Sequence, residues 1–178
     1  MDLKEKNWEI MFDAETISKR VKELGKQIED DYRDKNLLVV ALLKGSFIFC
    51  ADLVRAIDLT NLKINFMTTS SYGASSESSG NVEVKSDITI DDISDYDVLI
   101  VDDISDTAYT MDFVVKHIQA KNPKSLQTCV LLDKPSRRQV EFEADYCGFT
   151  IEDKFVVGYG FDFNDTYRNF PYIFNVLD

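Results

Sequence analysis

The sequence predicts an α/β fold in which helices flank a central, mainly parallel sheet. Apolar runs that suit buried strands alternate with segments whose apolar residues recur at helical spacing, and this alternation is typical of parallel sheets with both faces covered. The 178 residues, 44% hydrophobic and 29% charged, are enough for one domain with a sizeable core. No Gly/Ser-rich linker or repeat divides them, so we expect a single domain over residues 1–178.

The first predicted helix begins after Asp13, whose carboxylate suits an N-cap. Apolar residues then recur along one face, and a charged stretch ends the helix before Asn36. The apolar positions of this face are Ile17, Val21, Leu24 and Ile28.

Strands and helices alternate through the middle of the chain. The predicted strands are Leu37–Leu43, Ile64–Thr69, Val98–Val101 and Gln127–Leu132, with helices around Phe47–Ile57 and Tyr109–Ala120 between them. After Pro135 the pattern changes to short aromatic-rich strands around Phe155–Tyr159 and Tyr172–Val176. We expect this last part to form a smaller lobe together with the N-terminal segment.

The most informative segment is residues 98–111, VLIVDDISDTAYTM, in which a buried strand ends in two acids and a short loop opens a helix. Ligands of α/β sheets usually bind in the crevice beyond the carboxyl ends of the strands. Amides at a helix N-terminus and threonine hydroxyls suit a phosphate, while carboxylates suit sugar hydroxyls or a metal. The polar residues of this crevice, which predict a site for a phosphorylated sugar, are Asp102, Asp103, Asp106, Thr107 and Thr110.

A purely structural interpretation of the same segment is that these residues cap the helix and fill the turn. Two adjacent carboxylates at a strand end argue against it, because their repulsion costs stability unless a metal or hydroxyl donors offset it. The interpretation as a binding site is therefore preferred.

Charge and cysteine content narrow the class of protein. With 20 basic and 32 acidic residues the net charge is −12, which opposes non-specific binding to nucleic acids and to anionic membranes and favours a small-molecule partner. Cys50, Cys129 and Cys147 are odd in number and lie in apolar surroundings, so we expect free thiols. No signal sequence precedes Trp8 and no apolar run has membrane-spanning length, which predicts a cytoplasmic protein. His117, the only histidine, is expected at a helix end and not in catalysis.

Segment 98–111 resembles the 5-phosphoribosyl-1-pyrophosphate (PRPP) motif of the type I phosphoribosyltransferases. Three more segments resemble parts of the hypoxanthine-guanine members of that family. Their strand and pyrophosphate loop resemble LLVVALLKGSFIFCADLVRAI, and their mobile active-site loop resembles TTSSYGASSESSG. Their purine-binding end resembles LLDKPSRR together with KFVVGYGFDFNDTYRNFPYI. The four segments are collinear from about residue 9 to the terminus. The serine-rich loop of residues 70–80 is accordingly expected to be a lid, although a dispensable surface loop has the same composition.

The resemblance implies the type I phosphoribosyltransferase fold, with a hood subdomain formed by the N-terminal segment and roughly residues 135–178. It implies purine salvage, in which Mg²⁺-dependent transfer of 5-phosphoribosyl from PRPP to N9 of hypoxanthine or guanine gives IMP or GMP and pyrophosphate. A homodimer or homotetramer is expected. Two alternatives remain open: the same reaction on xanthine, and a nucleotide-sensing regulator that keeps this fold.

The resemblance also implies residue roles for the sugar and its leaving group. Asp106 would be the catalytic group facing N7 of the purine, and Asp102 and Asp103 would hold the ribose hydroxyls. The remaining members of the PRPP loop are Thr107, Ala108, Tyr109 and Thr110. The pyrophosphate ligands would be Lys44, Gly45 and Arg168, with the Lys44-Gly45 peptide one that can be cis in the family.

The purine and metal contacts are implied in the same way. Lys134 would donate to the 6-oxo group, the Phe155 ring would stack on the base, and main-chain groups near Val156 would read its edge. Asp162 would assist at the purine end and contact a metal. The lid pair would be Ser71 and Tyr72, and the metal residues would be Asp162, Asp102 and Asp103.

Two positions depart from the family pattern. Asp102 stands where glutamate is usual, so its carboxylate is one methylene shorter. Ala108 stands where glycine is commonest, and we expect it to take a negative φ in the first turn of the helix, where alanine is favourable.

Overall fold

A computed structural model of the chain describes residues 7–71 and 82–177, with the side chain of Ser71 not described. Tyr72 and most of the predicted lid lie outside these residues. The strands and helices in chain order are β1 (Trp8–Phe12), α1 (Ala14–Asp31), β2 (Leu37–Leu43), α2 (Phe47–Arg55), β3 (Leu62–Ser71), β4 (Val82–Ser86), β5 (Asp97–Ser105), α3 (Tyr109–Gln119), β6 (Ser125–Asp133), β7 (Tyr146–Thr150), β8 (Val156–Val157) and β9 (Ile173–Val176).

A six-stranded sheet of order β4-β3-β2-β5-β6-β7 forms the centre of the molecule. All its neighbouring strands pair in parallel except β4, which runs antiparallel to β3 at one edge. The predicted α/β class with a mainly parallel central sheet is confirmed. Strand β2 is central and its residues from Leu37 to Leu42 are buried, as a continuous apolar run requires.

Helices cover both faces of this sheet. Helix α1 begins where predicted, with the Asp13 side chain accepting a hydrogen bond from the amide of Thr16 at 2.8 Å. Its four predicted apolar positions are buried, and they pack with α2 in one core cluster. Helix α3 buries Met111, Val114 and Ile118 in a second cluster on the other face. This arrangement leaves the carboxyl ends of the parallel strands open for a ligand.

A second, three-stranded sheet of order β1-β9-β8 joins the N-terminal segment to the end of the chain. Trp8 pairs with Val176 in antiparallel register. Strand β7 instead extends the six-stranded sheet beside β6, so the smaller lobe does not reach back to residue 135 as predicted. Strand β8 is also shorter than predicted, because Gly158 and Tyr159 have φ of 95° and 52° and leave the extended conformation.

Several smaller expectations are also resolved. A non-proline cis peptide is present at Leu43–Lys44, one bond before the Lys44-Gly45 peptide that can be cis in the resembled family. All three cysteines are free thiols, as predicted, and burial raises the pKa of Cys50 to about 11. His117 lies in the last turn of α3, where its Nε2 is 2.8 Å from the carboxylate of Asp87. No helix in the described part of the chain is both long and apolar enough to cross a membrane.

Candidate active site

The polar segments singled out in the sequence meet at the carboxyl edge of the six-stranded sheet. Gly45, just after β2, packs so tightly on the end of β5 that an added Cβ would overlap the carboxylate of Asp103. Gly160, which has φ of 104°, also packs against this loop, because an added Cβ there would lie 2.3 Å from the carbonyl oxygen of Gly45. The contact brings the loop after β2, the acidic pair and the segment after β8 to one place.

The acidic pair is held by the backbone beside it. Oδ1 of Asp102 accepts from the amide of Asp103, and Oδ1 of Asp103 accepts from the amide of Ile104, both at 2.9 Å. Burial, followed by the negative charge of Asp103, raises the pKa of Asp102 well above its ordinary value. Burial also raises the pKa of Asp103, although hydrogen bonds with Asp102 and with the amide of Ile104, and then the charge of Arg168, act in the opposite direction. Such a pair is suited to a bound cation or to hydroxyl donors.

The last residues of β5, the loop that follows and the start of α3 enclose a cavity of about 230 Å³, which is lined by Asp102–Ala108, Thr110 and Met111. Ala108 is the N-cap of α3, and its carbonyl accepts from the amide of Asp112 at 2.9 Å. The following amides belong to the first turn of α3, where an anion is stabilised by unpaired N–H groups and the helix dipole. The chemistry and size of the cavity suit a phosphate group.

The prediction of a negative φ at Ala108 is wrong, because its φ is 69°. The chain turns sharply from the end of β5 into α3, and a left-handed residue at the N-cap makes that turn. Glycine adopts this conformation without strain, whereas alanine is strained there by about 1–2 kcal/mol. Alanine at this position is therefore a strained substitute for the commoner glycine.

Replacing Ala108 by glycine is expected to change the free energy of unfolding by less than about 0.5 kcal/mol. The relief of strain is offset by greater freedom of the unfolded chain and by loss of a buried methyl group, together about 1–2 kcal/mol. Denaturant titration would compare Ala108→Gly with Ala41→Gly, since buried Ala41 lies in extended β2 and has no such strain to relieve. Equal losses of stability in the two variants would contradict this account.

Lys44 and Arg168, the two basic residues predicted to bind pyrophosphate, both form ion pairs with Asp165. Nζ of Lys44 is 3.1 Å from Oδ2 of Asp165, and a guanidinium nitrogen of Arg168 is 3.2 Å from its Oδ1. Arg168 also contacts Asp162 at 2.7 Å and the carbonyl of Gly160 at 2.7 Å. Lys44, and then Arg168, lower the pKa of Asp165. A free anion that met both cations would have to compete with this carboxylate.

Sequence reasoning missed Asp165, which is 121 residues from Lys44. The available signal in the sequence was the Asn164-Asp165 pair, since both residue types favour turns. In the structure both have positive φ, in a turn that brings the carboxylate of Asp165 to the basic residues. Asp162 pairs with Arg168 and with the amide of Asp165. Within residues 7–71 and 82–177, no three or more His, Cys, Asp or Glu side chains meet as direct ligands for a metal, so Asp162 does not join Asp102 and Asp103 as a third direct ligand.

At the end predicted to bind the purine, Lys134 is buried and its amide donates to the carbonyl of Ser105 at 2.9 Å. Its Nζ is 3.6 Å from Asp153. The ring of Phe155 is 51% exposed, with its centroid 6.0 Å from that of Phe163 in an edge contact. The exposed ring of Phe155 offers a flat apolar surface, and the ammonium of Lys134 offers a hydrogen-bond donor. Val156, by contrast, is buried in β8.

Two arginines that sequence reasoning gave no role hold the loop of Asp106. Nε of Arg137 donates to Oδ1 of Asp106 at 3.0 Å. Arg138 donates to the carbonyls of Ser105 and Asp106 at 3.1 and 2.8 Å, and it pairs closely with Asp133. Both lie in LLDKPSRR, and the only signal was two adjacent arginines directly after the predicted purine contact.

Comparison with known proteins gives consistent matches. The phosphoribosyl transferase domain family matches residues 7–164. The chain is 46% identical over 178 residues to a hypoxanthine-guanine phosphoribosyltransferase of Aquifex aeolicus (strain VF5), which covers 99% of both chains. A hypoxanthine phosphoribosyltransferase structure from Staphylococcus aureus aligns with a TM-score of 0.90 and 43% identity over 95% of this chain and 91% of that chain. A Trypanosoma cruzi hypoxanthine phosphoribosyl transferase, studied for the role of its C-terminal region in oligomeric state and activity, gives a TM-score of 0.89 and 41% identity over 97% and 93%.

The mainly parallel sheet, with an acidic, phosphate-sized cavity at its carboxyl edge, and the matching domain family define a transferase. The chain belongs to the phosphoribosyltransferase family, and its near full-length relatives place it in the hypoxanthine-guanine branch. The resemblance carried by the four sequence segments is thereby confirmed.

Proposed function

We propose that this chain catalyses Mg²⁺-dependent transfer of 5-phosphoribosyl from PRPP to N9 of hypoxanthine or guanine, giving IMP or GMP and pyrophosphate in purine salvage. The observation that carries the proposal is the convergence of three features on one edge of the sheet. They are the acidic pair, the phosphate-sized cavity at the start of α3, and two cations at a common acid. Together they match the ribose, the 5-phosphate and the pyrophosphate of PRPP.

The sugar phosphate is held between β5 and α3. The first-turn amides of α3 and the hydroxyls of Thr107 and Thr110 receive the 5-phosphate, with Ala108 and Tyr109 supplying main chain. The carboxylates of Asp102 and Asp103 accept hydrogen bonds from the ribose hydroxyls. The cavity lining of Asp102–Ala108 and Thr110 supports this assignment.

The leaving group is held by residues from two other segments. Lys44 and Arg168 are positioned to offset the negative charge that builds on pyrophosphate as its bond to ribose C1 breaks. A pyrophosphate bound there exchanges with Asp165, which both cations contact in the free protein. Gly45 follows Lys44 in this loop, and its lack of a side chain leaves room for the carboxylate of Asp103.

The base binds between Phe155 and the loop of Asp106. Lys134 donates to the 6-oxo group, the exposed ring of Phe155 stacks on the purine, and main-chain groups near Val156 meet its edge. The carboxylate of Asp106 accepts the proton at N7, or a hydrogen bond from it, while N9 attacks C1 of the sugar. Ser71 and Tyr72 are proposed to exclude water from the reacting sugar.

The donor set suits a magnesium ion that keeps part of its water. Asp102 and Asp103 are adjacent carboxylates whose burial disfavours their charged forms, and a cation would offset this cost. We therefore propose Asp102 and Asp103, with Asp162 through water, as the protein contacts of the metal. Bound there, the ion would neutralise charge on the pyrophosphate oxygens.

A substrate panel tests the proposed function. Purified chain with PRPP and Mg²⁺ is expected to form nucleotide with hypoxanthine, guanine or both, and to lose activity when EDTA removes the metal. Chromatographic separation of the nucleotide products would measure each reaction, with xanthine, adenine and uracil as the comparison bases. Turnover without divalent metal, or with uracil alone, would disprove the proposal, and xanthine turnover would widen it.

Three further properties complete the proposal. We infer one phosphoribosyltransferase domain in which the β1-β9-β8 sheet belongs to the hood, and a homodimer or homotetramer. Ile64 and Phe66, which are exposed apolar residues on β3, support assembly. The three free thiols support a reducing compartment such as the cytoplasm.

A further inference from the structure

A chain of four alternating charges links the two ends of the proposed purine site. Arg137 donates from Nε to Oδ1 of Asp106 at 3.0 Å and from a terminal nitrogen to Oδ2 of Asp153 at 3.3 Å. The other oxygen of Asp153 lies 3.6 Å from Nζ of Lys134. The group proposed to meet N7 and the group proposed to meet the 6-oxo oxygen are therefore connected through one guanidinium and one carboxylate.

Stability alone does not account for this network. The side chains of Asp106, Arg137 and Asp153 are 37–51% exposed, and ion pairs of this kind contribute about 0–1 kcal/mol to folding. What the guanidinium does supply is orientation, because its planar set of donors fixes the direction of an acceptor in a way that a lysine ammonium does not.

The backbone around Arg137 is well suited to fixing an orientation. Arg137 ends a short 3-10 turn that starts at Pro135, and its amide donates to the carbonyl of Lys134 at 3.1 Å. Arg138 independently holds the main chain of Asp106, because its guanidinium donates to the carbonyl of Asp106. Two consecutive arginines thus fix the backbone and the carboxylate of the same residue.

The two carboxylate oxygens of Asp106 are used differently. Oδ1 is taken by Arg137, whereas Oδ2 makes no hydrogen bond to any residue in the described part of the chain. One oxygen is therefore held by the protein and one is left for a ligand.

We propose that Arg137 is a positioning residue, which holds Asp106 by Oδ1 so that Oδ2 faces the purine and, through Asp153, fixes the distance from Asp106 to Lys134. The inference rests on the proposed function, because it assigns Arg137 to the same base site. Asp106 supplies an acceptor at one end of the site and Lys134 a donor at the other. This spacing fits a 6-oxopurine that carries a proton at N7.

Steady-state kinetics of Arg137→Gln and Arg137→Lys test the proposal, with Arg33→Gln as the matched control. Arg33 is an exposed arginine that, among the residues the structure describes, pairs only with Asp30 at the end of α1, and its loss is expected to leave the kinetics unchanged. For Arg137→Gln we expect kcat/KM for the base to fall about tenfold while KM for PRPP stays within about twofold. Arg137→Lys is expected to recover part of the loss, since it keeps the charge but not the planar donors.

A double-mutant cycle separates positioning from general structural damage. In an Asp106→Ala background there is no carboxylate to hold, so adding Arg137→Gln is expected to change the remaining activity by less than about twofold. Thermal unfolding of each variant checks that the fold is intact.

Three outcomes would overturn the inference alone, provided that the wild-type chain is active with a 6-oxopurine. They are normal kinetics in Arg137→Gln, a rise in its kcat, and a full additional loss in the Asp106→Ala background. The rise would mean that Arg137 competes with the base for Asp106. An inactive wild-type chain would instead overturn the proposed function, and the inference with it.

Discussion

Asp106→Asn is expected to lower kcat by about 100- to 10,000-fold while the affinity for PRPP stays nearly unchanged. Asparagine keeps the size of the side chain and one oxygen, which can still accept the hydrogen bond from Nε of Arg137. Loop geometry and phosphate contacts should therefore survive. The negative charge is lost, and it is needed most in the transition state, where the N7 proton and the ribosyl cation both favour a nearby anion.

Asp103→Asn is the matched comparison, because it makes the same chemical change three residues earlier, within β5. Its carboxylate is proposed to contact the ribose hydroxyls and the metal, so we expect its loss to weaken PRPP binding as well as the rate. Isothermal titration with PRPP and initial-rate kinetics with hypoxanthine would measure the two effects. If Asp106→Asn has near-normal kcat, or mainly loses PRPP affinity, the proton acceptor is another residue.

The parts of the fold that the sequence predicts are those with strong local signals. Helix α1 has both a side-chain N-cap at Asp13 and a continuous apolar face. Strand β2 is a continuous apolar run whose length suits a buried strand and is too short for a buried helix. In contrast, β4 and β7 are five-residue strands at the two edges of the sheet. Five residues are too few to give a clear alternating pattern, so local periodicity did not reveal them.

The candidate site likewise has parts with local sequence signals, which could be predicted, and parts that depend on contacts between distant residues, which could not. The acidic pair and the loop that follows are contiguous in sequence, so their proximity could be predicted from one strand-loop-helix segment. The pairs Lys44–Asp165 and Arg137–Asp106 join residues 121 and 31 positions apart, and they depend on how separate loops meet. The φ of Ala108 was predicted wrongly for a related reason, because it is set by the direction in which α3 must leave β5 and not by the preference of alanine.

Gly45→Ala is expected to reduce PRPP affinity by about 10- to 100-fold with little effect on folding. The φ of Gly45 is outside the left-handed region, so alanine is compatible with the local backbone. Its Cβ, however, would overlap Oδ2 of Asp103 and lie 2.7 Å from Cγ, which forces the carboxylate to move. Because Oδ1 of Asp103 is bound to the amide of Ile104, the shift would break that bond or turn Oδ2 away from the ribose.

A double-mutant cycle with Asp103→Ala distinguishes displacement of this carboxylate from a direct effect on the pyrophosphate loop. Once the carboxylate is removed, the space beside residue 45 is open, and Gly45→Ala should then change PRPP affinity by less than about twofold. Titration calorimetry with PRPP would measure all four proteins, and denaturant unfolding would check that each is folded. Independent, additive losses would contradict this account, because they would mean that Gly45 acts through its own backbone and not by leaving room for Asp103.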